Sequence, residues 1–104
     1  MATYDSDVLA EGALTTEASL YSPGGGVYLA NGSLIYRNTG GSTRVVTTKI
    51  QKASGTARTV DVATLLTGET RMLEGIHLGP SDDLRALQDS GTDVTYVLMG
   101  GAGA

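Results

Sequence analysis

Leu66 to Leu87 reads LTGETRMLEGIHLGPSDDLRAL, and its punctuation decides the fold class. Thr67-Gly68-Glu69 breaks the chain, and a short extended run, Thr70 to Leu73, follows. Ile76, His77 and Leu78 make a second extended piece before Gly79-Pro80-Ser81-Asp82 turns the chain again. Asp83-Leu84-Arg85-Ala86-Leu87 then starts another strand. Turn residues about every eight positions, with short mixed runs between them, predict a small all-β sandwich or barrel. Asp82 to Gln88, with Ser81 as an N-cap, is the best helical candidate in the chain. It spans two turns at most, and strand is the preferred reading.

The same alternation of short runs and turns extends in both directions. Leu14, Thr16, Ala18 and Leu20 alternate with Thr15, Glu17 and Ser19 as a first strand, which Pro23-Gly24-Gly25-Gly26 ends. Val27 to Arg37 (VYLANGSLIYR) is the longest β-prone stretch. Its Asn31-Gly32 pair suits either a two-residue hairpin or a bulge within one long strand. After the turn Asn38-Thr39-Gly40-Gly41-Ser42, Arg44 to Lys52 places Val46, Thr48 and Ile50 on one side. Arg58 to Leu65 sets Val60 and Val62 opposite Thr59, Asp61 and Ala63. Val94 to Met99 is apolar on both faces and reads as a central strand. The expectation is an antiparallel, jelly-roll-like β-sandwich of seven to nine short strands over residues 13–100. An extended N-terminal arm (1–12) and a Gly-Ala tail (101–104) flank it. The arm carries Asp5, Asp7 and Glu11 but no periodic pattern. Tyr4, Val8 and Leu9 are its sizeable apolar groups and the candidate partner-docking residues.

Composition narrows the function. The 104 residues make one domain, and with 15 Gly and no Phe, Trp or Cys its core is aliphatic. A core poor in large side chains buries little area per residue, which favours assembly with partners. The formal net charge of −4 and the scattered basic residues exclude a nucleic-acid-wrapping role. MATYDSDV lacks the basic start and apolar run of a signal peptide, and no run approaches a membrane helix. No disulfide framework and no thiolate metal site can form.

Chemistry finds no foothold. His77 is the single histidine, flanked by Ile76 and Leu78, and reads as an outward imidazole on a strand. Asp82 and Asp83 follow a turn, but the alternating oxygen ligands of a calcium loop are missing, so turn chemistry is preferred. Glu69 and Glu74 have no neighbouring Trp or Phe to hold a sugar. The glycines at 24–26 lack the Lys-Ser/Thr of a phosphate loop. The expectation is no enzyme activity, no cofactor, no metal and no small-molecule substrate.

Five pieces of the sequence together resemble a family of small bacteriophage virion proteins. They are Leu20-Tyr21-Ser22-Pro23-Gly24, Asn38-Thr39-Gly40-Gly41, Leu66-Thr67-Gly68-Glu69-Thr70, the run Leu73-Glu74-Gly75-Ile76 with Leu78 to Ala86, and Val94 to Gly100. The resemblance spans residues 14–100 and implies a structural role with no catalytic residues, and it favours the bulged strand over the hairpin at Asn31-Gly32. It implies a capsid decoration (cement) protein on the outer capsid surface, made in the host cytoplasm. Its partners would be the major capsid protein and copies of itself, as a trimer. A tail, neck or fibre-attachment subunit is the alternative within that class. A carbohydrate-binding module is the alternative outside it, limited to Tyr4, Tyr21, Tyr28, Tyr36 and Tyr96 as sugar platforms.

Overall fold

A computed structural model of the chain describes residues 4–103. They form eight strands: β1 (Tyr4–Ala13), β2 (Ala18–Tyr21), β3 (Tyr28–Asn38), β4 (Arg44–Gln51), β5 (Ala57–Leu65), β6 (Thr70–Leu78), β7 (Asp83–Gln88) and β8 (Val94–Gly103). No helix occurs among the described residues, and Asp83–Gln88 is a strand. One sheet has the order β1-β8-β3-β6 and the other β2-β7-β4-β5, with every pairing antiparallel. The logic is that of one long hairpin rolled up. β4 pairs β5 at its tip, and β3–β6, β2–β7 and β1–β8 follow as successive rungs that alternate between sheets. The extra pairings β8–β3 and β7–β4 close the roll. This is the jelly-roll arrangement, in which two sheets share one core.

The arm expected over residues 1–12 is, from Tyr4 onward, the edge strand β1. It pairs with β8 from Tyr4 opposite Gly103 to Ala13 opposite Thr95. The tail expected at 101–104 joins the same ladder, since Gly101–Gly103 extend β8 between β1 and β3. Both segments lack a hydrophobic period because a backbone ladder asks nothing of side chains. Each supplies the other's hydrogen-bond partners.

Asn31-Gly32 lies in the middle of β3 as a bulge, as preferred, with Asn31 in the left-handed region at φ 52°. β3 spends one extra residue there against both neighbours. β6 answers with an extra residue at Glu74-Gly75, with Gly75 at φ 73°, so the register recovers. The two extended pieces expected on either side of Gly75 are therefore one strand. Gly100 of β8 packs against the β3 bulge, where an added Cβ would stand 2.9 Å from Gly32 Cα.

The core between the sheets is aliphatic, with Tyr36 as the single aromatic in its buried cluster among the described residues. Val46 and Thr48 of β4 point inward as the alternation requires, and Ile50 is half-buried. Tyr36 Oη and Thr48 Oγ1 meet at 2.7 Å in mid-core, joining the two sheets through a satisfied polar pair. Burial pushes the Tyr36 phenol up to about 12.

Buried polar residues tie both ends of the roll. At the end holding the β3–β4 and β5–β6 loops, Asn38 Nδ2 donates to the carbonyls of Ser42 (2.7 Å) and Leu65 (2.9 Å). Its Oδ1 accepts from Gly40 N. At the opposite end Asp82 accepts from Gly79 N (2.8 Å), Ala53 N (3.3 Å) and Lys52 Nζ (2.8 Å). The Asp82 carbonyl also accepts from Ser22 Oγ. The β2–β3, β4–β5 and β6–β7 loops thus converge on one residue, the first through its carbonyl and the others through its carboxylate. The turn reading of Asp82 holds, with a wider reach than a local turn.

Candidate functional site

The outer faces of the sheets differ, and the first carries the candidate docking surface. On the β1-β8-β3-β6 sheet, residues directly opposite each other share a face. Met72 of β6 lies opposite Ile35 of β3, which lies opposite Val97 of β8. In the adjacent rung Met99 lies opposite Val8 of β1. These five side chains form an apolar stripe across all four strands, and Met72, Val8 and Met99 are 51%, 43% and 42% exposed. Val97 and Met99 sit on the strand that the sequence already marked as apolar on both sides. Glu11 and Arg37 are exposed in the same outward register.

The structure separates the expected docking residues. Val8 is on the stripe. Leu9, beside the β1 bulge, packs against the core cluster instead. Tyr4 opens β1 opposite Gly103 at the rim of the sheet. Met72, Ile35 and Met99 were missed as surface residues. A period-two pattern says which residues share a face but not which face meets the core, and only strand order supplies that.

The outer face of the second sheet carries an ion-paired cluster next to the exposed valines of edge strand β5. Lys49 Nζ donates to Glu17 at 2.6 Å, and Arg85 bridges Glu17 (3.1 Å) and Asp83 (2.8 Å). Ser19 Oγ donates to Asp83 as well. Lys49 foremost, then Arg85, holds the Glu17 carboxyl below its ordinary range. Asp83 and Glu17 in turn raise the Arg85 guanidinium.

Between the two sheets, where edge strands β5 and β6 face each other, lies an open cleft of about 390 Å³. Ile50, Leu73, Ile76 and Leu84 line its walls, with Asp61, Glu74 and His77 at its mouth. Beyond one end Arg71 clasps Asp61 through two hydrogen bonds (2.9 and 2.5 Å), which raises the Arg71 guanidinium. This pair spans the seam between edges that share no ladder. Val60 and Val62, expected only to share a side of β5, point outward, 56% and 60% exposed. His77 is exposed on its strand, and Glu69 accepts from Leu66 N within its own turn. Among the described residues no group of three or more His, Asp or Glu side chains could hold a metal ion.

No protein-family model and no curated protein sequence matches this chain. Solved structures do match it in fold. The crystal structure of the T13 IBDV viral particle aligns at TM-score 0.56 and 14% identity, over 99% of this chain and 30% of that one. The structure of T=1 particles derived from infectious bursal virus aligns at TM-score 0.55 and 14% identity, with the same coverage. The infectious bursal disease virus Gx strain structure aligns at TM-score 0.52 and 12% identity, over 99% of this chain and 32% of that one. The chain spans about a third of the length of these proteins, and what it shares with them is the sandwich.

Proposed function

We propose that this chain is a structural protein of a virus particle, and specifically a decoration (cement) subunit of a bacteriophage head. One observation carries the reading: a jelly roll like that of viral-particle chains, with an apolar stripe on one outer face and an ion-paired opposite face. A two-sided module of this kind sits with the stripe against the shell and the ionic face toward water. The work is mechanical. Each copy buries a modest apolar area across a seam between shell subunits, and many copies sum against internal pressure. The partners are the major capsid protein and further copies of this chain, grouped as a trimer, on the outer surface of particles assembled in the host cytoplasm. Val8 and the start of β1 at Tyr4 belong to the docking surface. Leu9 acts behind it by holding β1 to the core.

Cryo-electron microscopy of particles assembled with and without this chain tests the reading. The expected result is extra density at regular lattice positions on the outside, in groups of three, and lower heat resistance of particles that lack it. Normal particles with the protein absent from their surface would overturn it, and density confined to the tail would select the tail-subunit alternative.

A further inference from the structure

Among the tyrosines whose side chains are described, the structure leaves Tyr28 as a platform. Tyr36 is fully buried, and Tyr21 and Tyr96 pack on the core. Tyr28 is 52% exposed at the start of β3. It lines a shallow groove of about 330 Å³ together with Ala30, Lys52, His77, Gly79 and Asp82. Register explains the convergence. Leu29 and Leu78 are opposite each other and point into the core, so Tyr28 and His77, one residue before each, both point outward across neighbouring strands. Lys52 arrives from the β4–β5 loop, held by Asp82 at 2.8 Å.

We infer that this groove is a binding subsite for a neutral sugar ring. An aromatic face beside donors and acceptors is what a saccharide requires. The C–H face of a pyranose stacks on the negative face of a tyrosine ring, and its hydroxyls each need a donor or an acceptor. Lys52 uses one of its three N–H donors on Asp82 and keeps the others, while the His77 imidazole adds its two ring nitrogens. The Lys52–Asp82 pair cancels its own charge, which selects an uncharged sugar over an acidic or a basic one. The site is also pre-organised, because the Asp82 carboxylate and carbonyl tie together the three loops at this end. A single aromatic platform in a shallow groove gives a Kd on the order of 1 mM, in the range where many copies side by side gain by avidity. Tyr28 and His77 share the outer face of the stripe at its far end beside Gly103, so the subsite is read on the free chain, where that face is open, and not on the particle assignment.

The test is NMR titration of the intact chain with chitotriose, lactose, maltotriose and xylotriose at tens of millimolar, with a sialylated trisaccharide as the charged comparison. At least one neutral sugar is expected to shift the Tyr28 and His77 resonances saturably. Tyr28→Ala should abolish that response at an unchanged Tm, and Tyr28→Phe should retain it. His77→Ala, on the exposed side of β6, should weaken binding about five-fold or more, which serves as the second variant if Tyr28→Ala lowers Tm. No response to any of the four neutral sugars would overturn the inference. So would a response that survives both alanine substitutions, or tighter binding of the sialylated sugar.

Discussion

The two outer faces of this jelly roll are made of the same kind of strand and solve opposite problems. On the β1-β8-β3-β6 sheet, Met72, Ile35, Val97, Met99 and Val8 put apolar groups where water would be. On the β2-β7-β4-β5 sheet, Glu17, Lys49, Asp83 and Arg85 satisfy one another at the surface. Partly exposed ion pairs contribute little to stability, so the ionic face is not what holds the fold. The apolar face gains only by being covered. If the chain docks as proposed, the stripe is the side that is covered and the ion-paired cluster the side left in water, with Val60 and Val62 of edge strand β5 exposed beside that cluster.

The comparison can be broken hardest at β1. Deleting residues 2–11 uncovers the β8 edge and removes Leu9 from the core. A lost core leucine alone costs about 2–5 kcal/mol, so the truncated chain should melt more than about 10 °C lower, or fail to fold. An unchanged melting temperature would return this segment to the status of a free arm. A second probe, Gly100→Ala, drives a methyl into the Gly32 backbone and should cost about 1–3 kcal/mol without touching either outer face. Loss of particle binding in that variant without loss of stability would show that the bulge itself makes contact.

The faces are then compared directly. Met72→Lys with Met99→Lys should leave Tm within a few degrees, since both side chains are already half exposed. It should reduce attachment to undecorated particles at least about 100-fold, because a charge buried without a partner is costly. Lys49→Ala on the ionic face should leave attachment unchanged. If the two results are reversed, the orientation is wrong.

The smallest effect is the acid response. The carboxyls of Glu17 and Asp82 both lie below their ordinary values of 4.5 and 3.8, Glu17 through Lys49 and Arg85, Asp82 first through Lys52 and then Gly79 N. A lowered folded-state value means that their contribution is complete above those ordinary values. It is lost as pH falls through the folded ones. Thermal melts should therefore hold level from neutrality to about pH 5 and fall below pH 4. Asp82→Asn should flatten that acid limb more than Glu17→Gln, because Asp82 is buried and ties three loops while Glu17 is solvated. Equal flattening would contradict the hub role of Asp82.

What the sequence determined by itself was everything governed by local backbone chemistry. Asn38-Thr39-Gly40-Gly41, Thr67-Gly68-Glu69 and Gly79-Pro80-Ser81-Asp82 ended strands where such residues must, while Asn31-Gly32 stayed open to hairpin or bulge until pairing with β6 and β8 decided it. The class, a range of seven to nine strands that includes the eight found, and the inward side of β4 followed from period two and turn spacing. Tertiary structure decided what depends on neighbours far along the chain. Whether residues 4–13 hang free or pair turns on a glycine-rich partner ninety residues away, whose ladder groups carry no side-chain signature. Period two cannot show that Val62 and Met72 face out while Leu65 and Leu73 face in, because reversing a face leaves the pattern unchanged. The candidate surfaces share that origin. Val8 beside Met99, and Tyr28 beside His77, are juxtapositions made by strand order, which long-range pairing sets and no local run of residues records.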